Sequence, residues 1–149
     1  MSATNADKTV TVYCRRKLSD GKVGLMRRVL KECSWEERSI STALQTGNEL
    51  KEPASIRVFC ATSGLTYVPL HEWNALPEVE LETYWTADII SSAHTMIVPH
   101  ECVWEPDPGT ESEITQLEND FIRKNPGALR IAQLNDNRKA HGSHIRLQA

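Results

Sequence analysis

Short runs in which apolar and polar residues alternate, each cut off by a turn-forming cluster, recur along most of this chain. A period of two puts every other side chain on one face of a strand, so this pattern calls for sheet rather than a helical bundle. Val10, Val12 and Cys14 alternate with Thr9, Thr11 and Tyr13, which predicts a half-buried strand, and Asp20-Gly21 supplies the turn after it. From Leu25 the alternation resumes, with Leu25, Val29, Cys33 and Trp35 expected on one side; the four-residue spacing of the first three also allows a helix, but Trp35 and the preceding turn favour a strand. Ile56, Val58 and Cys60 mark a further strand, Tyr84-Trp85-Thr86 and Asp88-Ile89-Ile90 strand edges around a tight turn, and Thr95 to Val98 a buried strand stopped by Pro99. His71 to Pro77 reads as one helical turn ended by proline.

One segment breaks the period. Thr110 and Glu113 fit a capping box, and Ile114, Leu117, Phe121 and Ile122 form a helical stripe. Acids crowd the first turn, Arg123-Lys124 the last, and Asn125-Pro126-Gly127 stops the helix, so residues 110–124 are expected to be helical. The chain then returns to alternation on both sides of a polar loop, which predicts a C-terminal β-hairpin over 129–148 with Asn, Asp, Arg and His at its tip. Residues 39–55 are polar around a Gly47-Asn48 pair and are expected to project as a long loop or hairpin arm. The sum is about seven short strands, one helix in the C-terminal half and one projecting loop: a mainly β fold, a small β-barrel or sandwich, in a single domain over residues 1–149.

Composition narrows the function classes. A chain of 149 residues buries a sizeable core, and a net charge of −3 argues against coating duplex DNA, which needs a basic face. No window approaches the ~20 apolar residues of a membrane span, and residues 1–8 read as a polar tail, not a signal peptide. Cys14, Cys33, Cys60 and Cys102 form no CxxC pair and lie in or beside apolar runs. Buried free thiols in a reducing cytoplasm are the expectation, with a disulfide or a metal site as alternatives.

Few residues suggest catalysis. His141-x-x-His144 with Asp136 nearby could bind zinc in a small metal-dependent hydrolase, although exposed loop histidines explain the pattern as well. Ser143 and His144 are neighbours on a strand and point to opposite faces, which is poor geometry for a nucleophile and its base. Phosphate-binding and nucleophile-elbow motifs are absent, and the acids between Glu101 and Glu118 lack calcium-loop spacing and read as a solvated face. The four tryptophans share no spacing and read as core or interface anchors. Arg130, Arg138, Lys139 and Arg146 make the C-terminal end basic while 101–120 is acidic, which is either ordinary surface charge or a head-to-tail contact between copies.

The order of these pieces resembles a family of small neck proteins of tailed bacteriophages and prophages of Gram-positive bacteria. The resemblance runs from Val10 to Leu147 and includes the opening strand Val10-Thr11-Val12-Tyr13, the run that ends in Trp35, and the turn Trp85 to Ile90. It is strongest in the closing pair Asp136-Asn137-Arg138 and Gly142-Ser143-His144-Ile145-Arg146. Ala87 stands where that family usually has glycine, and Leu147 where a tryptophan often follows the arginine. The resemblance implies a head-closure (stopper) protein of the virion, without enzymatic activity or cofactor, built as a ring of six or twelve copies. Its partners would be a portal-side adaptor ring, a tail-terminator or tail-completion protein, and packaged DNA passing without sequence-specific contact. A tail-completion role is the alternative within the same machine, and a bacterial β-barrel binding module the alternative outside it. Asn137, Arg138, His144 and Arg146 are the candidate docking residues, and Thr42, Gln45, Asn48, Glu49 and Lys51 the candidate channel-facing or neighbour-contacting residues of the arm.

Overall fold

A computed structural model describes residues 7–36, 39–40, 50–51, 54–90, 94–139 and 142–149. In chain order the strands are β1 (Lys8–Lys17), β2 (Val23–Glu36), β3 (Ser39–Ile40), β4 (Leu50–Lys51), β5 (Ser55–Phe59), β6 (Thr66–Tyr67), β7 (Tyr84–Trp85), β8 (Met96–Val98), β9 (Leu129–Arg130), β10 (Gln133–Asn137) and β11 (His144–Gln148). Helix α1 (Leu70–Ala75) and a 3-10 helix (Glu78–Thr83) lie between β6 and β7, and α2 (Glu111–Lys124) between β8 and β9. Seven strands form one curled sheet in the order β10-β11-β5-β2-β1-β8-β9. The protein is mainly β, a half-barrel with few helices.

The curl follows from connectivity. Strands β9 and β10 lie at opposite edges of the sheet yet only Ile131 and Ala132 separate them in the chain. Three Cα steps reach about 11 Å, so the edges must bend towards each other. The linking pair holds both sides: Ile131 N–H donates to Thr95 O at 2.8 Å, and Ala132 N–H to Gln148 O at 2.6 Å. Residues 129–130, expected within the terminal hairpin, therefore belong to the far edge and pair with β8. The hairpin proper is β10–β11, in register from Gln133↔Gln148 to Asn137↔His144.

The central strands are buried on both faces, not one. Val10, Val12 and Cys14 of β1 face an inner core with Ile56, Val58, Ile145, Leu147, Trp73 and Trp85, while Tyr13 faces a second, outer core under α2. Burying each of those inner aliphatic side chains contributes roughly 1.5–3 kcal/mol. Strand β2 carries a bulge that simple alternation does not foresee: Val10 pairs with Leu30 but Lys8 with Cys33, and Glu32 adopts φ 54°. The extra residue shifts the phase, so Leu25 joins the outer core and Cys33 the inner one, against their expected common side.

A lid covers the inner face. It runs from α1 through the 3-10 helix to β7, and two sheet arginines bolt it down. Arg16 donates to the Trp73 and Leu76 carbonyls at the end of α1. Arg28 donates to Leu81 O (2.9 Å) and Tyr84 O (2.7 Å) and sits over the Trp73 ring. Trp73 O and Leu81 O also accept from the Leu76 and Tyr84 N–H groups, so the arginines add a second, charged donor there. On the outer face, α2 begins at the predicted capping box, with Thr110 Oγ1 accepting from Glu113 N–H and Glu113 Oε1 from Thr110 N–H. Its buried side is Ile114 and Glu118, with Leu117 turned partly outward. Glu118 takes the place expected of an apolar residue because Arg15 and Arg130 reach it. Strands β3 and β4 pair antiparallel, Ser39↔Lys51 and Ile40↔Leu50, at the two ends of the expected arm. Among the described residues no helix is long and apolar enough to cross a membrane.

Candidate functional site

Strand β11 lies between β5 and β10, so the hairpin tip is carried by the sheet rather than hanging from it. At the tip the chain turns through Gly142, whose φ of 70° is the left-handed region that disfavours side chains with a Cβ. The residues on the two sides of the turn then bind one another. Arg138 forks onto Asp136: Nε lies 2.8 and 3.0 Å from the two carboxylate oxygens and Nη2 2.7 Å from Oδ2. The same guanidinium stacks 5.1 Å from the Tyr67 ring centroid. Ser143 Oγ donates to Arg138 O at 2.7 Å and lies 3.2 Å from the exposed Cys60 thiol.

His144 and Asn137 face each other across the ladder. Gly142 O lies 2.9 Å from His144 Nδ1, and Asn137 Nδ2 lies 3.2 Å from Nε2. The neutral Nδ1–H tautomer satisfies both contacts, donating to the carbonyl and accepting from the amide. The Phe59 ring packs 5.8 Å from the imidazole.

Electrostatics follow these contacts. Hydrogen bonding from the Arg138 side chain holds the Asp136 carboxyl below its ordinary range, and the carboxylate in turn raises Arg138. Tyr67 is raised, first by burial and then by the charge of Asp136. Behind the clamp lies a cavity of about 240 Å³ floored by Trp85 and Tyr67, which meet edge to face with centroids 5.0 Å apart. Val58 and Ile145 wall it, and Arg138, Ser143 and Cys60 form its rim.

The sequence-predicted residues do not form one patch. Asn137, His144 and Arg146 share the outer face of the hairpin, whereas Arg138 folds over the rim onto Tyr67 of β6. Arg146 is exposed and donates from Nε to Ser55 Oγ at 3.1 Å. Arg130 leaves the basic group altogether: it is held by Glu118, Asn119 Oδ1 (2.9 Å) and His94 O (2.7 Å). Thr42, Gln45, Asn48, Glu49 and His141 lie outside the described residues; Lys51 sits in β4 opposite Ser39. The zinc arrangement is not assembled by what is described, for both Asp136 oxygens are engaged by Arg138 and both His144 nitrogens have partners. Among the described residues no three His, Cys, Asp or Glu side chains are grouped to hold a metal.

Sequence reasoning did not single out Tyr67 and Trp85 as the floor of this site. They lie on two-residue strands, too short to show a period. It also expected all four thiols to be buried, and Cys60 is exposed because it follows the last residue of β5, in the turn beside the hairpin tip.

Residues 4–149 match a family of unknown function (DUF6751). The chain belongs to this family. No curated protein and no solved structure matches it. The match spans nearly the whole chain, so the sheet, lid, α2 and hairpin all lie within the family's extent.

Proposed function

We propose that this protein is a structural component of a bacteriophage neck, a ring-forming head-closure protein that docks its C-terminal hairpin against an adjacent ring. The observation that carries the reading is the internal wiring of the tip. The residues that resemble the neck-protein signature, Asp136-Asn137-Arg138 and Gly142-Ser143-His144, are those that bind one another on the two sides of the turn. Side chains held by one another before contact lose little conformational entropy on binding, which is what a docking element needs. In this reading Asn137 and His144 present polar groups, and Arg138 keeps the tip seated on Tyr67. The arm whose ends are β3 and β4 would reach the channel or a neighbour, and the protein carries out no reaction.

Tail completion is the alternative within the same machine, separated by which ring the protein contacts. The test is assembly of phage particles with Asn137→Ala and Arg138→Ala together. DNA-filled heads that leak or lack tails are expected; normal infectious particles would overturn the reading.

A further inference from the structure

Helix α2 covers the outer face of the sheet over β1 and β2, but β5, β11 and β10 lie beyond it with a bare polar face. One row across that face reads Asn135, Arg146, Arg57, Ser34. Arg146 and Arg57 are direct cross-strand partners and both are exposed. Like charges directly opposite destabilise a sheet. Among the described residues no carboxylate lies within ion-pair distance of either arginine. The pair is set against a net charge of −3.

The complement lies on the opposite side of the molecule. The lid packs on the inner face through Trp73, Leu81 and Trp85 and exposes Glu78, Glu80 and Glu82 along its 3-10 helix. Glu78 accepts from Ser19 N–H at 2.6 Å, and Glu82 lies in the field of Arg28. Between Glu78 and Glu80, Val79 is 90% exposed, an apolar point beside the acids. Because the two strips face away from each other, they cannot meet within one chain. They can meet between two chains head to tail, and repetition of such a contact closes a ring when the rotation permits.

We propose that Arg57 and Arg146 of one copy receive Glu80 and Glu82 of the next, so that the Arg57–Arg146 row of the β5–β11 face is the contact between copies of this chain, leaving Asn137 and His144 to the adjacent ring. The proposal rests on the ring reading above and names the surfaces that make the ring. Charge pairs at such a contact set register and encounter rate and weaken with salt.

The test is sedimentation of the full chain at rising concentration and low salt, in three forms. Wild type is expected as a discrete oligomer. Arg57→Glu with Arg146→Glu is expected to weaken association by about 100-fold or more, since attraction becomes repulsion at two sites. Adding Glu80→Arg and Glu82→Arg to that variant is expected to restore the oligomer, which also shows that the double variant failed at the contact and not in folding. A wild-type oligomer indifferent to the first pair of changes overturns this contact while leaving the ring reading standing. Loss without restoration overturns the pairing with Glu80 and Glu82. A wild type that stays monomeric throughout overturns both the contact and the ring reading.

Discussion

Glu118 is a buried acid whose removal the fold should feel strongly. Its side chain is 1% exposed, ion-paired to Arg15 and lying 3.3 Å from Arg130, so one carboxylate ties α2 to β1 and to the edge strand β9. Glu118→Ala strands the Arg15 guanidinium, which is 13% exposed and has Nε and Nη1 buried without partners. Breaking a buried pair from one side costs about 3–5 kcal/mol, a large fraction of the ~5–15 kcal/mol that holds a domain folded. Arg130 suffers less, since it is 24% exposed and keeps Asn119 and the His94 carbonyl. With a urea dependence of about 2 kcal/mol per molar, the unfolding midpoint should fall by roughly 1.5–2.5 M. Tryptophan fluorescence reads this directly, because Trp73 and Trp85 are buried in the inner core and Trp104 packs in the outer one. The reasoning makes a second demand. Replacing the triad together, Arg15→Met, Glu118→Leu and Arg130→Met, should leave stability within about 1 kcal/mol of wild type or raise it, since no charge is then left uncompensated. A midpoint drop under about 0.5 M for Glu118→Ala, or an equal loss in the triple variant, would refute the account.

Stability should decline on the alkaline side. Burial raises the Cys14 thiol from 9.0 to about 11 and the Cys33 thiol from 9.0 to about 12, and it raises Tyr13 as well. The unfolded chain therefore releases these protons first, so the stabilisation is complete below pH 9 and is lost as pH rises towards 11–12. Urea midpoints measured from pH 7 to 11 should fall, and Cys33→Ala should flatten the decline; a midpoint independent of pH above 9 would contradict this. Thiol reactivity offers a separate check, since Cys60 is exposed while Cys14, Cys33 and Cys102 are buried. A thiol reagent should label one cysteine promptly in the native protein and all four after denaturation, with Cys60→Ser abolishing the prompt phase; prompt labelling of two or more would show that the core is open.

Local signals were readable where short-range physics decides the outcome. The capping box, the charged ends and the Asn-Pro-Gly stop define α2 to within a residue, because each acts over a single helical turn. Alternation places β1, β5 and β11 for the same reason, whereas β10 (Gln133–Asn137) lies largely where a loop was expected. What alternation missed was set at longer range. Glu32 shifts the phase of β2 because the bulge lies opposite a particular stretch of β1. An acid sits at the centre of the buried side of α2 because arginines from two distant strands converge on it, which no periodicity in residues 111–124 reveals.

The candidate site divides along the same line. The sequence alone determines that this chain is mainly β, that a polar hairpin ends it, and that Asp136, Asn137, Arg138 and His144 crowd its tip, since these follow from spacing and turn chemistry. Only the tertiary structure decides that Arg138 faces Tyr67, that Asn137 and His144 satisfy each other, and that Arg57 lies beside Arg146 with the acidic lid turned the other way. The physical reason is strand pairing: residues far apart in the chain become neighbours through a register that the whole sheet sets, and that register is closed by two residues joining its opposite edges.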